Sequence, residues 1–207
     1  MAEATLHGIY GIIDADAVSE PLPFAGALMR GGIRVLQYRA KAGVDAAVLE
    51  ALCRCAHAGG ARLIVNDDFQ AALQADGWHA GQEDLAEHDV VRLRRVLGER
   101  LLGISCGTAA EARDAEAAGA DYVGVGPFAA TASKADAGRP LGSAGLRTVV
   151  AATSLPVVAV GGIGPANVAA VAASGAAMAA VISALATAAD PASAARDLVR
   201  RWAAAMS

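Results

Sequence analysis

The stretch LIVNDDF, residues 63–69, releases an amide and two carboxylates, Asn66, Asp67 and Asp68, as soon as a run of large apolar residues ends. A second acidic group, Gln82, Glu83 and Asp84, follows the short apolar segment GWHA at 77–80. Two carboxylates with few neutral ligands suit Mg²⁺, which keeps several waters and completes its shell with substrate phosphates. Asp67 and Asp84 form such a pair if the two apolar segments are neighbouring strands. A plainer use exists for each, since Asn and Asp are strong helix N-caps and Asp84 could be a solvated loop acid. Asp68 would point away from Asp67 in an extended chain, so it takes the capping or supporting place.

The cations with positions to match are Arg39 and Lys41, in QYRAK at 37–41, and Lys134. Arg offers phosphate a two-pronged fork, whereas Lys is a point charge. Each alone reads as solvated surface. Together, beside two acids, they would cradle a Mg²⁺-diphosphate. A second anion feature stands apart. VGGIGPAN leaves an apolar run through Gly161 and Gly162, and a second run ends at Ile182 and Ser183; backbone N–H groups there can hold a phosphate. Tight-turn geometry explains such glycines equally well. The G-x-G at 124–126 lacks a dinucleotide fingerprint and reads as close strand–loop packing. The stretch at 126–142 is long for a strand–helix connection. Thr131, Ser133 and Lys134 on it could bring hydroxyls and charge over a bound substrate.

These residues need a frame that gathers them, and the chain offers one. Apolar strand candidates lie at 8–13, 33–38, 62–66, 77–80, 101–105, 121–126, 156–161 and 179–183. Segments of helical character separate them, among them 44–58, 86–97, 108–118 and 165–174. Thr108 with Glu111 forms a capping box, Gly119 suits a C′ position and Pro165 a first helical turn. Eight such units in 207 residues fit a small (β/α)8 TIM barrel, with a doubly wound open sheet as the alternative. In a barrel the strand ends carry the chemistry, so Gln37, Arg39, Asn66, Asp67, Asp84, Ser105, Thr131, Gly162 and Ser183 would ring one mouth.

No linker interrupts residues 1–207, which read as one domain. At 55% hydrophobic and 4% aromatic, the core must come from Val, Ile, Leu and Ala. A net charge of -4 disfavours a nucleic-acid surface. Cys53, Cys55 and Cys106 are odd in number with no scaffold spacing, which suggests a reducing compartment. Cys53 and His57 share a helix face without a second ligand pair, so they read as structural and not as a zinc site. The first residues lack a basic, apolar signal pattern. The apolar stretch 155–189 is cut by glycines and Pro165 into strand- and helix-sized pieces, arguing against a membrane span. A cytoplasmic protein is expected.

VLQYRAK, LIVNDDF, GWHAGQEDL, GADYVGVGPFAATASK and PVVAVGGI occur in the order found in the thiamine phosphate synthase family, and the resemblance runs from about residue 8 to about 200. It implies a TIM barrel that joins 4-amino-2-methyl-5-hydroxymethylpyrimidine diphosphate to a thiazole phosphate. By motif, Asp67 and Asp84 would bind Mg²⁺. Gln37, Tyr38, Arg39, Lys41, Asn66 and Lys134 would hold the pyrimidine diphosphate, with Arg39, Lys41 and Lys134 carrying the catalytic charge and Ser105 near the pyrimidine. Thr131, Ser133, Gly162, Ile182 and Ser183 would hold the thiazole phosphate. Ser133 stands where the family often has Thr, Ala177 where it often has Asp, and the segment between Asp67 and Asp84 is short. The related thiazole tautomerase depends on a histidine where this chain has Gly107. A non-catalytic binder of thiamine precursors is the rival of another class, and a generic phosphate-binding barrel enzyme leaves the paired acids unexplained.

Overall fold

The computed structural model describes residues 6–81, 89–131 and 138–207. Gln82, Glu83, Asp84, Ser133 and Lys134 lie outside the described residues. The elements in chain order are β1 (Gly8–Asp14), α1 (Pro21–Arg30), β2 (Val35–Arg39), α2 (Ala46–Ala58), β3 (Arg62–Asn66), α3 (Phe69–Ala72) and β4 (Gly77–Ala80). There follow α4 (Val90–Leu97), β5 (Leu101–Cys106), α5 (Ala109–Ala117), β6 (Tyr122–Val125) and α6 (Gly142–Val150). β7 (Val157–Val160), α7 (Val168–Ala172), β8 (Met178–Val181), α8 (Ser183–Ala186) and α9 (Pro191–Met206) complete the chain. The eight strands pair in sequence order, all parallel, and β8 returns to β1 to close a barrel. Closure excludes the open doubly wound sheet.

Parallel strands buried on both faces read as continuous apolar runs, and the side-chain alternation sorts each run into two layers. Tyr10, Ile12, Val35, Ile64, Tyr122, Val158, Met178 and Ala180 pack inside the barrel. Leu36, Leu63, Val65, Trp78, Leu102 and Val123 face outward under the helices. Tyr38 belongs to this outer layer and is 4% exposed. Its neighbours Gln37 and Arg39 take the inner face by the same alternation, so the expected substrate contact does not fall to the Tyr38 ring.

Local signals explain most helix starts. Asp45 accepts from Ala47 and Val48 N–H, at 2.8 and 3.0 Å, and opens α2. Asp68 accepts from Ala71 N–H at 2.9 Å, so the second acid of LIVNDDF is a cap. Thr108 caps α5 through Glu111 N–H, but the Glu111 carboxylate accepts from Gly107 N–H, one residue before the place a reciprocal capping box would use. The helix expected from Pro165 starts only at Val168, because Asn167 turns back to hold the preceding loop. Cys53 donates to Gln74 O, and His57 Nε2 meets both Asp76 carboxylate oxygens at 3.0 Å. Both are therefore committed to packing α2 on β3 and β4. No helix among the described residues is long and apolar enough to cross a membrane.

Candidate active site

Asp67 is the only residue other than glycine, among those described, with a positive φ, 61°. Its N–H donates to His79 O at 3.0 Å, and its carbonyl accepts from Trp78 Nε1 at 2.9 Å. Left-handed backbone suits Asp and Asn better than most side chains. The clasp turns the chain sharply at the end of β3, leaving Asp67 exposed at the mouth while Asp68 reaches its cap position. An exposed oxygen donor on a fixed backbone fits a hard cation such as Mg²⁺.

Arg39 ends β2 beside Asp14 at the end of β1. Its Nη1 donates to Asp14 Oδ2 at 2.7 Å, with both side chains largely buried. Asp14 was not singled out from the sequence. It fixes the guanidinium, and the fork retains further N–H groups for an anion. Lys41 stands exposed on the turn after β2. Asn66 ends β3 in register with His79. Carboxylate, amide and cations thus occupy the arc of the mouth from β1 to β3 among the described residues.

The opposite arc holds the second anion feature. A pocket is lined by Thr131, Gly161, Gly162, Ile163, Ala180, Ile182 and Ser183. It brings together Thr131, Gly162, Ile182 and Ser183, as the sequence motifs implied. Gly162 is required twice over, for its φ of 66° and because a Cβ there would lie 2.5 Å from Ala130 O. Asn167, missed from the sequence, clamps this loop by accepting from Gly164 N–H at 2.9 Å and donating to Gly162 O at 2.8 Å. Asn167→Ala is expected to raise KM for the ligand of this pocket about tenfold through loss of an ordered loop, with KM at the opposite arc unchanged. Steady-state kinetics with each substrate varied in turn separates the two.

Beneath the mouth runs a polar chain that sequence reading did not anticipate. Gln37 Nε2 donates to Tyr10 OH at 3.0 Å, and the Tyr10 and Tyr122 hydroxyls are 3.2 Å apart. Tyr122 OH lies 3.0 Å from His79 Nδ1, and His79 Nε2 lies 3.0 Å from Ser105 Oγ. Glycines make the room. A Cβ on Gly103 would sit 2.1 Å from Tyr122 Cζ, and one on Gly124 2.9 Å from His79 Cε1. Close strand–loop packing, expected for G-x-G as a whole, holds at Gly126, whose Cβ would meet Val160 O at 2.3 Å.

Burial pulls the His79 pKa down to about 4, so the ring is neutral at pH 7. The unfolded chain takes up this proton near pH 6.5 and the folded chain only near 4, so stability falls as pH drops between those values and the loss is complete below the lower one. Roughly 2 kcal/mol of acid sensitivity is expected from this group, allowing for its partial exposure. The slope of stability against pH from 6.5 to 4, measured by urea melts, should flatten in His79→Gln.

Burial also pushes the Cys106 thiol up to about 12 and raises that of Cys53, so neither is a ready nucleophile. All three cysteines are free thiols.

Comparison with known proteins agrees with this architecture. The family described as thiamine monophosphate synthase matches residues 9–185. The thiamine-phosphate synthase of Herpetosiphon aurantiacus is 43% identical over 201 residues, covering 94% of this chain and 96% of that protein. The thiamine biosynthesis bifunctional protein ThiM/ThiE of Symbiobacterium thermophilum is 50% identical over 184 residues, 84% of this chain; the match spans only 38% of that longer protein. Among solved structures, the thiamine phosphate pyrophosphorylase of Pyrococcus furiosus superposes with a TM-score of 0.88 at 29% identity, covering 98% of each chain. The chain belongs to the thiamine monophosphate synthase family.

Proposed function

We propose that this barrel is a thiamine-phosphate synthase that joins 4-amino-2-methyl-5-hydroxymethylpyrimidine diphosphate to 4-methyl-5-(2-phosphooxyethyl)thiazole, releasing diphosphate. The observation that carries the assignment of roles is the division of one mouth into two arcs. Asn66, Asp67, Arg39 and Lys41 gather on the first, and the Gly161–Gly164 loop with Thr131 and Ser183 lies on the second. The first suits a diphosphate, the second a single phosphate.

Asp67, with Asp84 from beyond the described residues, would hold Mg²⁺. The ion would neutralise the departing diphosphate. Arg39, oriented by Asp14, and Lys41 add charge where it builds up as the bond to the primary carbon stretches, and Lys134 is assigned the same task. The aminopyrimidine ring can itself support positive charge at that carbon, so the step is dissociative and the protein supplies no nucleophile. The thiazole nitrogen attacks, positioned by the phosphate held at the second arc. Gly107, exposed after β5, carries no side chain to move a proton, which disfavours a tautomerase. Its free cysteines suit a reducing cytoplasm.

The test is to supply both precursors and Mg²⁺ and to follow thiamine phosphate through its fluorescent oxidation product. Product that vanishes with EDTA or on omission of either precursor supports the reading. Folded protein that binds both precursors and yields none refutes it.

A further inference from the structure

Asp14 is the only acidic side chain buried among the described residues, at 6% exposure. Main-chain bonds already close the turn that it opens. Ala17 and Val18 N–H donate to Asp14 O at 3.0 and 2.9 Å, and Ala15 N–H donates to Arg39 O at 2.9 Å. The turn therefore does not depend on the carboxylate, although Oδ1 also accepts from Asp16 N–H at 3.0 Å. A buried ion pair adds little to stability either, because desolvation offsets the attraction. What the carboxylate does is stand 2.7 Å from a guanidinium at the mouth of the barrel. Strand order fixes the side on which it stands. β1 pairs with β2, Asp14 in register with Arg39, and on its other edge with β8. The shortest way along the rim from the β7–β8 pocket to Arg39 crosses the end of β1, where Asp14 lies.

We infer that Asp14 is a specificity-determining residue, which keeps a single phosphate away from Arg39 and leaves that arc of the mouth to a metal-bound diphosphate. This rests on the synthase reading, in which both substrates carry phosphate and each must take its own place. A carboxylate at hydrogen-bond distance cancels most of the guanidinium charge that an anion would feel from the β8 side. A monophosphate carries about −1.5 to −2 charges at pH 7 and brings no cation, so it meets the carboxylate uncompensated. A diphosphate arrives with Mg²⁺, which offsets that repulsion, and has oxygens to spare for Lys41. Discrimination of this kind works by making the wrong ligand unfavourable and not by improving the right one. Without the charge, thiazole phosphate at high concentration would occupy both arcs and block the pyrimidine diphosphate. Asp14 acts through Arg39, so it is a positioning residue and not a catalytic one.

Asp14→Asn keeps the shape and one acceptor oxygen while removing the charge. Calorimetric titration with inorganic phosphate in metal-free buffer reads its effect whether or not the protein is active. Binding at the β7–β8 pocket should match the wild type, and a second site should gain about tenfold in affinity. That gain should vanish in Asp14→Asn/Arg39→Gln. A folded Asp14→Asn that binds phosphate as the wild type does overturns the inference, and so does a gain that survives in the double variant. Asp14→Ser supplies the same neutral test if circular dichroism shows the amide variant unfolded. In the coupled reaction, excess thiazole phosphate should inhibit Asp14→Asn competitively against the pyrimidine diphosphate and leave the wild type uninhibited. A purely structural carboxylate would instead raise KM for the pyrimidine diphosphate with no such inhibition, which refutes the specificity role. Inactive wild-type protein with the expected phosphate titrations counts against the synthase reading and still supports the charge effect of Asp14.

Discussion

Asp67→Asn is expected to lower kcat/KM for the pyrimidine diphosphate by about a hundredfold or more, since a metal that stabilises a leaving group contributes several kcal/mol to the transition state. Its Tm should barely move. The reason is the backbone at this position, with φ of 61° and both peptide groups clasped by His79 O and Trp78 Nε1. Asn tolerates that conformation as well as Asp does, so the substitution removes a charge and leaves the turn intact. Asp67→Ala removes the charge and adds strain of about 1 kcal/mol, which for a domain of this size lowers Tm by about 2–4 °C. Both variants should therefore lose activity and only one stability. Raised Mg²⁺ should recover part of the Asn variant's rate if the loss lies in metal affinity. An Asp67→Asn enzyme with full activity would reduce this acid to a turn residue and place the metal elsewhere.

That residue shows how far the sequence could be read. RLIVN delivered β3 with its observed bounds and GWHA did the same for β4, because β-branched and apolar runs bounded by Gly and Asp are local signals. β8 was displaced by a residue or two, since an Ala-rich stretch gives alternation little contrast. The capping place of Asp68 was also legible, as a cap needs only the following few residues. Asp14, Asn167 and the Tyr10–Tyr122–His79 chain were not. Tyr10 and Tyr122 are 112 residues apart, and only closure of the barrel brings their hydroxyls together. Each looks like an ordinary core aromatic alone. One signal was available: Gly103 and Gly124 interrupt apolar strands, and strand-interior glycine often marks close approach of another group. Tyr38 shows where motif and alternation part. Its place in QYRAK drew it toward the site, although alternation along β2 puts it with Leu36's neighbours outside the barrel and not with Gln37.

Gly103→Ala should be the most destabilising single methyl addition in the barrel. The new Cβ would lie 2.1 Å from Tyr122 Cζ, 2.4 Å from its hydroxyl and 2.5 Å from His79 Nδ1. None of these atoms is the end of a flexible side chain. Tyr122 is 0% exposed, lies edge-on to Tyr10 and stacks on His79, so one ring moves only if the others do. Overpacking of this kind costs about 1–3 kcal/mol and occasionally more, and the upper part of that range is expected here, roughly 6–12 °C in Tm. Gly124→Ala meets only the His79 edge, at 2.9 Å, and should cost less. Gly107→Ala, with its nearest neighbour at 3.6 Å, should be close to neutral. The ordering 103, 124, 107 in thermal melts is the check, and equal effects at all three would mean that the rings relax freely. Because the same clash displaces the two groups that orient Ser105, Gly103→Ala should also raise KM for the pyrimidine diphosphate at temperatures where the protein is fully folded. A site built this way ties its geometry to core packing: the space that two missing side chains leave in β5 and β6 admits the rings that link Gln37 to Ser105 across the barrel.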